Sequence, residues 1–300
     1  MNLKKLIPII VSAAIFIVIL INIDIPQLIN YFKNINFFFL ITSFLLIIPV
    51  VVINAFRYVK IISKEHNLPL NTSIKLTLAG ASLNTIMPSK FGDLIRAYYL
   101  KKKKKIGLNR GIASILFEKY MDLFALFFLS FLSIIFIKNL NNTSFAVVIL
   151  CFFFILLSFF LFFIDLNKLK DIVKLNKIRE LTNELIDFTE RIKHDFLLFL
   201  YIISLSLLNW FLQLIQFYFF FSAFNFKINP MLMFLVPIAI IIGMVPISFN
   251  GVGIRDSALI FLFMNYAPVS LVAGVGILAT LRNVIPAVAG LAFIRKYLKL

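Results

Sequence analysis

Asn84-Thr85-Ile86-Met87-Pro88-Ser89-Lys90-Phe91-Gly92-Asp93-Leu94-Ile95-Arg96 interrupts an apolar run with a proline, a glycine and three charges. It has a relative far downstream, Met244-Val245-Pro246-Ile247-Ser248-Phe249-Asn250-Gly251-Val252-Gly253-Ile254-Arg255-Asp256. With one inserted residue, Pro88 aligns with Pro246, Gly92 with Gly251, Ile95 with Ile254 and Arg96 with Arg255. In both copies a Gly-x-x-Ile-Arg run follows a proline and a serine. Two broken hydrophobic segments at matching places in two halves of a chain point to a transporter binding site.

The composition agrees with a membrane setting. Hydrophobic residues make up 62% of the chain, 37 of its 300 residues are Phe, and the mean hydropathy is +1.01. Those values lie outside the range of soluble globular domains. Several runs reach the ~18 apolar residues that a bilayer crossing needs. In a soluble protein a net charge of +17 would suggest nucleic acid. Here it first raises the question of which face of the membrane carries the charge, and nucleic acid is not an expected partner. The single cysteine, Cys151, excludes an intrachain disulfide. His66 and His194 are far apart with no cysteine beside them, so neither a metal nor a cofactor is expected. Residues 1–23 superficially resemble a signal peptide, but the apolar core exceeds the usual ~7–15 residues and no small-x-small site ends it. The segment is read as a retained first span.

In chain order, the expected spans are residues 6–23, 37–59, 111–137, 145–164, 196–224 and 269–293. A connector with Asp24, Pro26 and Lys33 separates the first two. The broken segments are 74–87 with 93–100, and 231–245 with 252–264. The fold class expected is all-α integral membrane, one domain over residues 1–300. It is an inverted repeat of two halves, 6–137 and 145–293, each with three spans and a broken re-entrant hairpin. Residues 165–195 form the one long polar stretch. Its apolar residues recur at three- and four-residue steps, so it reads as a basic amphipathic connector lying along an anionic leaflet. A solvated connector with no role of its own is the bland alternative.

Charge placement decides the topology. If each broken segment dips in and returns to its own side, Lys4–Lys5, residues 60–75, 101–110, 165–193 and 295–299 share one face. Only Lys33, Lys138 and Lys227 then fall on the other. That is the positive-inside pattern, with both termini cytoplasmic, in a multi-pass plasma (inner) membrane protein. A single kinked crossing over 74–100 would put the five lysines Lys101–Lys105 outside. Because each half has an odd number of spans, the second is inverted, and the two hairpin tips meet near the midplane. Non-helical backbone is tolerated there only where protein or a water-filled cavity covers it.

The returning half-helices start just after Ser89 and just after Ser248 or Asn250, all good N-cap types. Gly92, Gly251 and Gly253 leave their backbone N–H donors unobstructed, which suits a phosphate or carboxylate. Arg96 and Arg255, one turn on, offer forked donors to the same group. Alternatively, Asp93 and Asp256 satisfy the helix ends and pair with those arginines. Glu118 and Asp122 are i, i+4 on one face of their span. Counting ~1.5 Å per residue, Asp122 lies roughly 16 Å from the cytoplasmic end. Arg282 sits at matching depth in the last span, so a meeting of Asp122 with Arg282 is expected, either functional or as a static pair. Lys119 and Arg57 read as residues that reach for the headgroups. The chain has no Gly-x-Ser-x-Gly, phosphate loop or zinc cluster, and no catalytic residue is nominated.

Together these residues resemble the transmembrane region of the lysylphosphatidylglycerol synthases, a family of flippase-like membrane proteins. The Pro-x-x-x-Gly-Glu/Asp-x-x-Arg motif is matched by Pro88, Gly92, Asp93 and Arg96. Glu-Arg-x-x-Asp is matched by Glu118 and Asp122, with Lys119 in place of the arginine. Pro-x-Ser-x-x-Gly-x-Gly-x-Arg-Glu is matched by Pro246, Ser248, Gly251, Gly253 and Arg255, with Asp256 for the glutamate, and Arg282 resembles an arginine of the last span. The resemblance implies movement of a charged lipid or lipid-linked glycan between leaflets, with membrane lipids as partners and no synthase domain. Two rival readings stand beside it. One is a membrane subunit presenting lipid to a separate glycosyl- or aminoacyl-transferase, which would make enzymes of glycan or lipid synthesis its partners. The other is a membrane-embedded enzyme.

Overall fold

The computed structural model describes residues 23–85, 88–137, 148–150, 152–157, 164–169, 176–244 and 253–298. Most of the spans expected at 6–23 and 145–164, and both Ser248 and Gly251, lie outside the described residues. Within them the elements are helical and include no strand. The helices are α1 Ile25–Lys33, α2 Phe37–Leu45, α3 Ile47–Ile62, α4 Leu70–Asn84, α5 Leu94–Lys104 and α6 Leu108–Phe136. They continue with α7 Asn176–Lys193, α8 Phe196–Ala223, α9 Val236–Gly243, α10 Ile254–Phe263 and α11 Val269–Leu298. Short 3₁₀ turns cover Pro88–Asp93, Leu166–Leu169 and Pro230–Leu235.

Among the described residues, four stretches are long and apolar enough to cross a membrane: Phe37–Ile62, Leu108–Phe136, Phe196–Ala223 and Val269–Arg295. They coincide with the second, third, fifth and sixth expected spans. The first of them is α2 and α3 joined through Leu46. Large apolar side chains point outward along them, with Phe38, Ile48 and Val288 each more than 60% exposed. A belt of that kind faces lipid rather than water.

Local chemistry starts and stops these helices. Asp24 accepts from the Gln27 N–H at 3.0 Å, with Pro26 in the first turn, so the expected connector is instead helix α1. Asn36 and Asp195 cap α2 and α8 in the same way, at 3.1 Å each. Helix α5 ends where Lys105 turns left-handed (φ 56°) and the Ile106 N–H reaches back to the Leu100 carbonyl at 3.3 Å. Lys101–Lys104 occupy its last turn, where the negative end of the helix favours cations.

The first broken segment is described almost throughout; the break expected in the second, at 246–251, lies outside the described residues. The first runs α4, the 3₁₀ turn Pro88–Asp93, then α5; the second runs the 3₁₀ turn Pro230–Leu235, α9, then α10. Helix α4 lies along α11 more extensively than any other two elements meet, and α9 packs on α6. Helices α5 and α10 return against α6 and α11 respectively, and α3 packs on α8. The α4–α11 approach needs Gly290, since a Cβ there would lie 1.9 Å from the Leu78 carbonyl oxygen. Beside it the Ser82 hydroxyl donates to the Ala287 carbonyl.

The core has two main parts. One is built on Phe217, Phe220, Phe221, Leu259 and Phe263, the other on Tyr58, Ile61, Leu100, Phe117 and Met121. Helix α6 feeds both and carries Asp122, its middle residue, at the junction. The second part also takes the apolar face of α7. Phe188 is 2% exposed and meets the Phe117 ring edge-on at 5.8 Å, with Ile186 and Ile192 buried beside it. The apolar face of α7 is thus turned onto α6. Arg110 fastens the polar side, bonding Glu65 and sitting 3.5 Å from Glu184.

Candidate functional site

Where the two core clusters meet, α3, α4, α5, α6, α8, α9, α10 and α11 line a cavity of about 250 Å³. Its depth follows from element lengths. Asp122 is the midpoint of α6, Asn209 and Trp210 are the middle pair of α8, and Arg282 is central in the apolar stretch Val269–Arg295.

One wall is a chain of alternating charges. Lys119 contacts Asp93 at 2.6 Å, Asp93 meets Arg96 at 3.1 Å, and Arg96 donates to Glu118 at 2.6 Å. Arg57 then bridges Glu118 at 2.9 Å and Asp122 at 2.6 Å. Trp210 closes the series by donating Nε1–H to Asp122 at 2.9 Å. The Arg96 guanidinium also lies over the Tyr58 ring, 4.5 Å from its centre. Charges buried this deeply are retained only when paired and hydrogen-bonded, and here each carboxylate touches at least one cation.

Spacing correctly places Glu118 and Asp122 on one face. Two other readings are corrected. Arg57 is 0% exposed; it does not reach for headgroups but also bonds Ser206 at 2.9 Å. Lys119 turns into the cavity wall instead of away from it. Asp122 and Arg282 both line the cavity, yet no ion pair joins them, because Arg57 occupies the carboxylate first.

Gly92 and Gly253 behave differently from the unobstructed anion sites expected, and Gly251 lies outside the described residues. A Cβ on Gly92 would lie 2.4 Å from the Asn84 nitrogen and 2.6 Å from the Gly80 oxygen, so the missing side chain serves close packing on α4. Ser89 lies in the 3₁₀ turn that leads directly into α5. Gly253 adopts φ 88° and starts α10, and its N–H donates to Asp256 at 3.2 Å. Asp256 also accepts from Arg255 Nε at 2.9 Å and Nη2 at 2.6 Å. Arg255 is held further by the Gly276 carbonyl at 3.0 Å and the Thr280 hydroxyl at 2.9 Å. For these two pairs the alternative reading describes the geometry: Asp93 and Asp256 engage Arg96 and Arg255.

Arg282 is different. Among the described residues lining the cavity, it is the one cation with no carboxylate partner. Its Nη1 is 3.5 Å from the Gln216 amide oxygen, and its guanidinium lies 5.2 Å from the centre of the Phe217 ring. Gln216 is oriented by donating to the Ser43 carbonyl at 2.6 Å. Four residues on, Pro286 brings no N–H for the Arg282 carbonyl. The uncharged side of the cavity is Thr77, Asn84, Asn209 and Gln213. Ser206, Asn209, Gln213 and Gln216 recur at helical spacing along α8. That polar stripe in an apolar span is the signal that would have located this wall from sequence.

A family model described as the lysylphosphatidylglycerol synthase TM region matches residues 5–290. A UPF0104 membrane protein of Methanocaldococcus jannaschii is 28% identical over 189 residues, covering 60% of this chain and 78% of that protein. A UPF0104 membrane protein of Methanothermobacter thermautotrophicus is 26% identical over 235 residues, 70% of this chain and 68% of its own. No solved structure matches.

Proposed function

This chain is a membrane protein that belongs to the lysylphosphatidylglycerol synthase TM region family, and from that premise we propose that it moves a charged lipid headgroup, or a lipid-linked glycan, between leaflets. The observation that carries the proposal is a polar cavity at the middle of the apolar helices, holding a guanidinium that no carboxylate among the described residues neutralises. An uncompensated cation at that depth is costly and marks a path for charge. In this reading Arg282 meets the phosphate. Arg96 and Arg255 set the positive field of the wall, and Glu118 and Asp122 hold the cations in place. Ser89, Gly92, Ser248, Gly251 and Gly253 belong to the moving tips.

The proposal includes an inverted repeat with both termini cytoplasmic, in the plasma (inner) membrane. Reciprocal packing supports it: α4 rests on the last helix of the second half, and α9 rests on the last helix of the first. Tilting one half against the other would then alternate access to the cavity.

Transport is testable with the full chain in liposomes that contain phosphatidylglycerol carrying a fluorescent acyl chain. Dithionite should bleach both leaflets when the protein is present and only the outer leaflet when it is not. Arg282→Gln should slow inner-leaflet loss at least about tenfold, the value of one charge-assisted hydrogen bond. Protection of the inner leaflet equal to that in protein-free vesicles would remove the transport assignment. Binding without transport would instead identify a subunit that presents lipid to another enzyme.

A further inference from the structure

We infer that Lys101–Lys105 form a docking surface for the anionic headgroups of the leaflet on their side of the membrane, and that this contact seats the first re-entrant arm. The surface lies apart from the cavity, and the inference holds whether or not the chain moves lipid.

Five consecutive lysines close α5 and form its left-handed cap. Lys101, Lys102, Lys103 and Lys105 are exposed, and Lys104 is half-buried. Among the described residues, none of the five meets a carboxylate. Cations at neighbouring helix ends are matched: Lys64 with Asp195 at 2.5 Å, Arg110 and Arg191 with Glu65, and Lys193 with Glu190 at 2.8 Å. Like charges this close on a helix repel one another. The negative end of α5 offsets only about half of one charge, so the remaining counter-charge comes from outside the chain.

Position identifies it as a bilayer surface. Only Ile106 and Gly107 separate the run from Leu108, where the long apolar stretch Leu108–Phe136 begins. The lysines therefore stand where hydrocarbon gives way to headgroups, the level at which basic clusters bind anionic lipid. The Lys102 ammonium lies 5.9 Å from the centre of the Tyr98 ring, and tyrosines with basic residues are the anchors of that level. Shape agrees. Successive residues of a helix turn by about 100°, so Lys101–Lys104 surround α5 instead of lining one face. A ring of charge suits a sheet of mobile headgroups better than the single face of an acidic partner helix.

The opposite end of α5 reaches the charged wall. Arg96, in its first turn, donates to Glu118 of α6, and Asp93, just before it, contacts Lys119. Between the two ends α5 is 11 residues long, roughly 16 Å, and it buries Ile95, Ala97 and Leu100. Attraction of the lysines to the leaflet thus holds Arg96 and Asp93 against α6. The charge density of that leaflet governs how firmly the hairpin is seated.

The full chain would be placed in nanodiscs of phosphatidylcholine alone and of phosphatidylcholine with about one-third phosphatidylserine, and its backbone hydrogen exchange followed by mass spectrometry. Amides of residues 101–106 should exchange at least about tenfold more slowly in the anionic discs, since each lysine near such a surface adds roughly fivefold to the association. Amides of residues 63–69, in the connector before α4, correct for the local pH of a charged surface. Salt at about 0.5 M should abolish the difference, and Lys101→Gln combined with Lys103→Gln should remove most of it. Equal exchange in the two discs at low salt would overturn the inference, as would a difference that survives the salt. Should the double variant insert poorly, the salt dependence of the wild type decides alone. A difference that persists in Arg282→Gln supports the lysines as its origin; one that disappears there belongs to the cavity and overturns the inference. Protection by a polyglutamate peptide in neutral discs, with none from phosphatidylserine, would identify an acidic protein as the occupant and overturn it too.

Discussion

Arg57 is the residue on which the charged wall depends, because it alone joins Glu118 to Asp122 and both to α3. Replacing it by Met would leave two buried carboxylates short of their shared cation. Breaking a buried pair from one side costs about 3–5 kcal/mol. Arg57→Met should therefore lower the unfolding temperature in detergent sharply, and Arg57→Lys should restore only part of it, since an ammonium cannot span both acids as a fork does. Equal stability of Arg57→Met and wild type would show that the wall does not need this link. At this scale the sequence was legible where spacing alone sufficed: Glu118 and Asp122 share a face because they are four apart on α6. It was not legible where reach mattered. Depth counted along α3 puts Arg57 near the end of its span, yet its long side chain extends to the carboxylate at the middle of α6. Lys119 was misplaced for the same reason, since Asp93 arrives from another element to meet it.

Elements meet here through missing side chains. At Gly290 the position of a Cβ is already filled by the Leu78 carbonyl and the Ser82 hydroxyl of α4, and backbone cannot rotate out of the way. Gly290→Ala must push α11 from α4 along their whole contact, and overpacking of this kind costs about 1–3 kcal/mol. Gly107→Ala is the matched control, because nothing lies within 4 Å of its Cβ position, and its effect should stay within roughly 0.5 kcal/mol. Comparable unfolding temperatures for the two variants would mean that the α4–α11 contact yields easily. Gly92 shows how the same fact misleads a reader of sequence. A glycine in a Pro-Gly break suggests an opening for ligand, whereas the turn Pro88–Asp93 uses it to lie against α4. The first break itself was legible, since Pro, Gly and charge interrupt an otherwise continuous apolar run and the turn Pro88–Asp93 stands there. What covers α4 and α9 was not, because that is decided by α11 and α6, which lie far away in the sequence.

For the whole molecule, the question is whether the reciprocal contacts of α4 with α11 and α9 with α6 reflect two copies of one unit in opposite orientations. The repeated motif and the alternation of charge both favour that arrangement, and the four long apolar stretches fall where it requires them. It commits the lysine run at the end of α5 and the start of α7 to the same face of the membrane. In a Cys151→Ser background, single cysteines at Lys103 and Asn176 should both react with an impermeant maleimide only when the cytoplasmic face is open. A cysteine at Lys227, between α8 and α9, should react only from outside. Both Lys103 and Lys227 are exposed in the structure, so failure to label would reflect sidedness and not burial. Labelling of Lys103 and Asn176 from opposite sides would mean that the first broken segment crosses the membrane. The two tips would then no longer enter from opposite faces, and alternating access around Arg282 would lose its geometric basis.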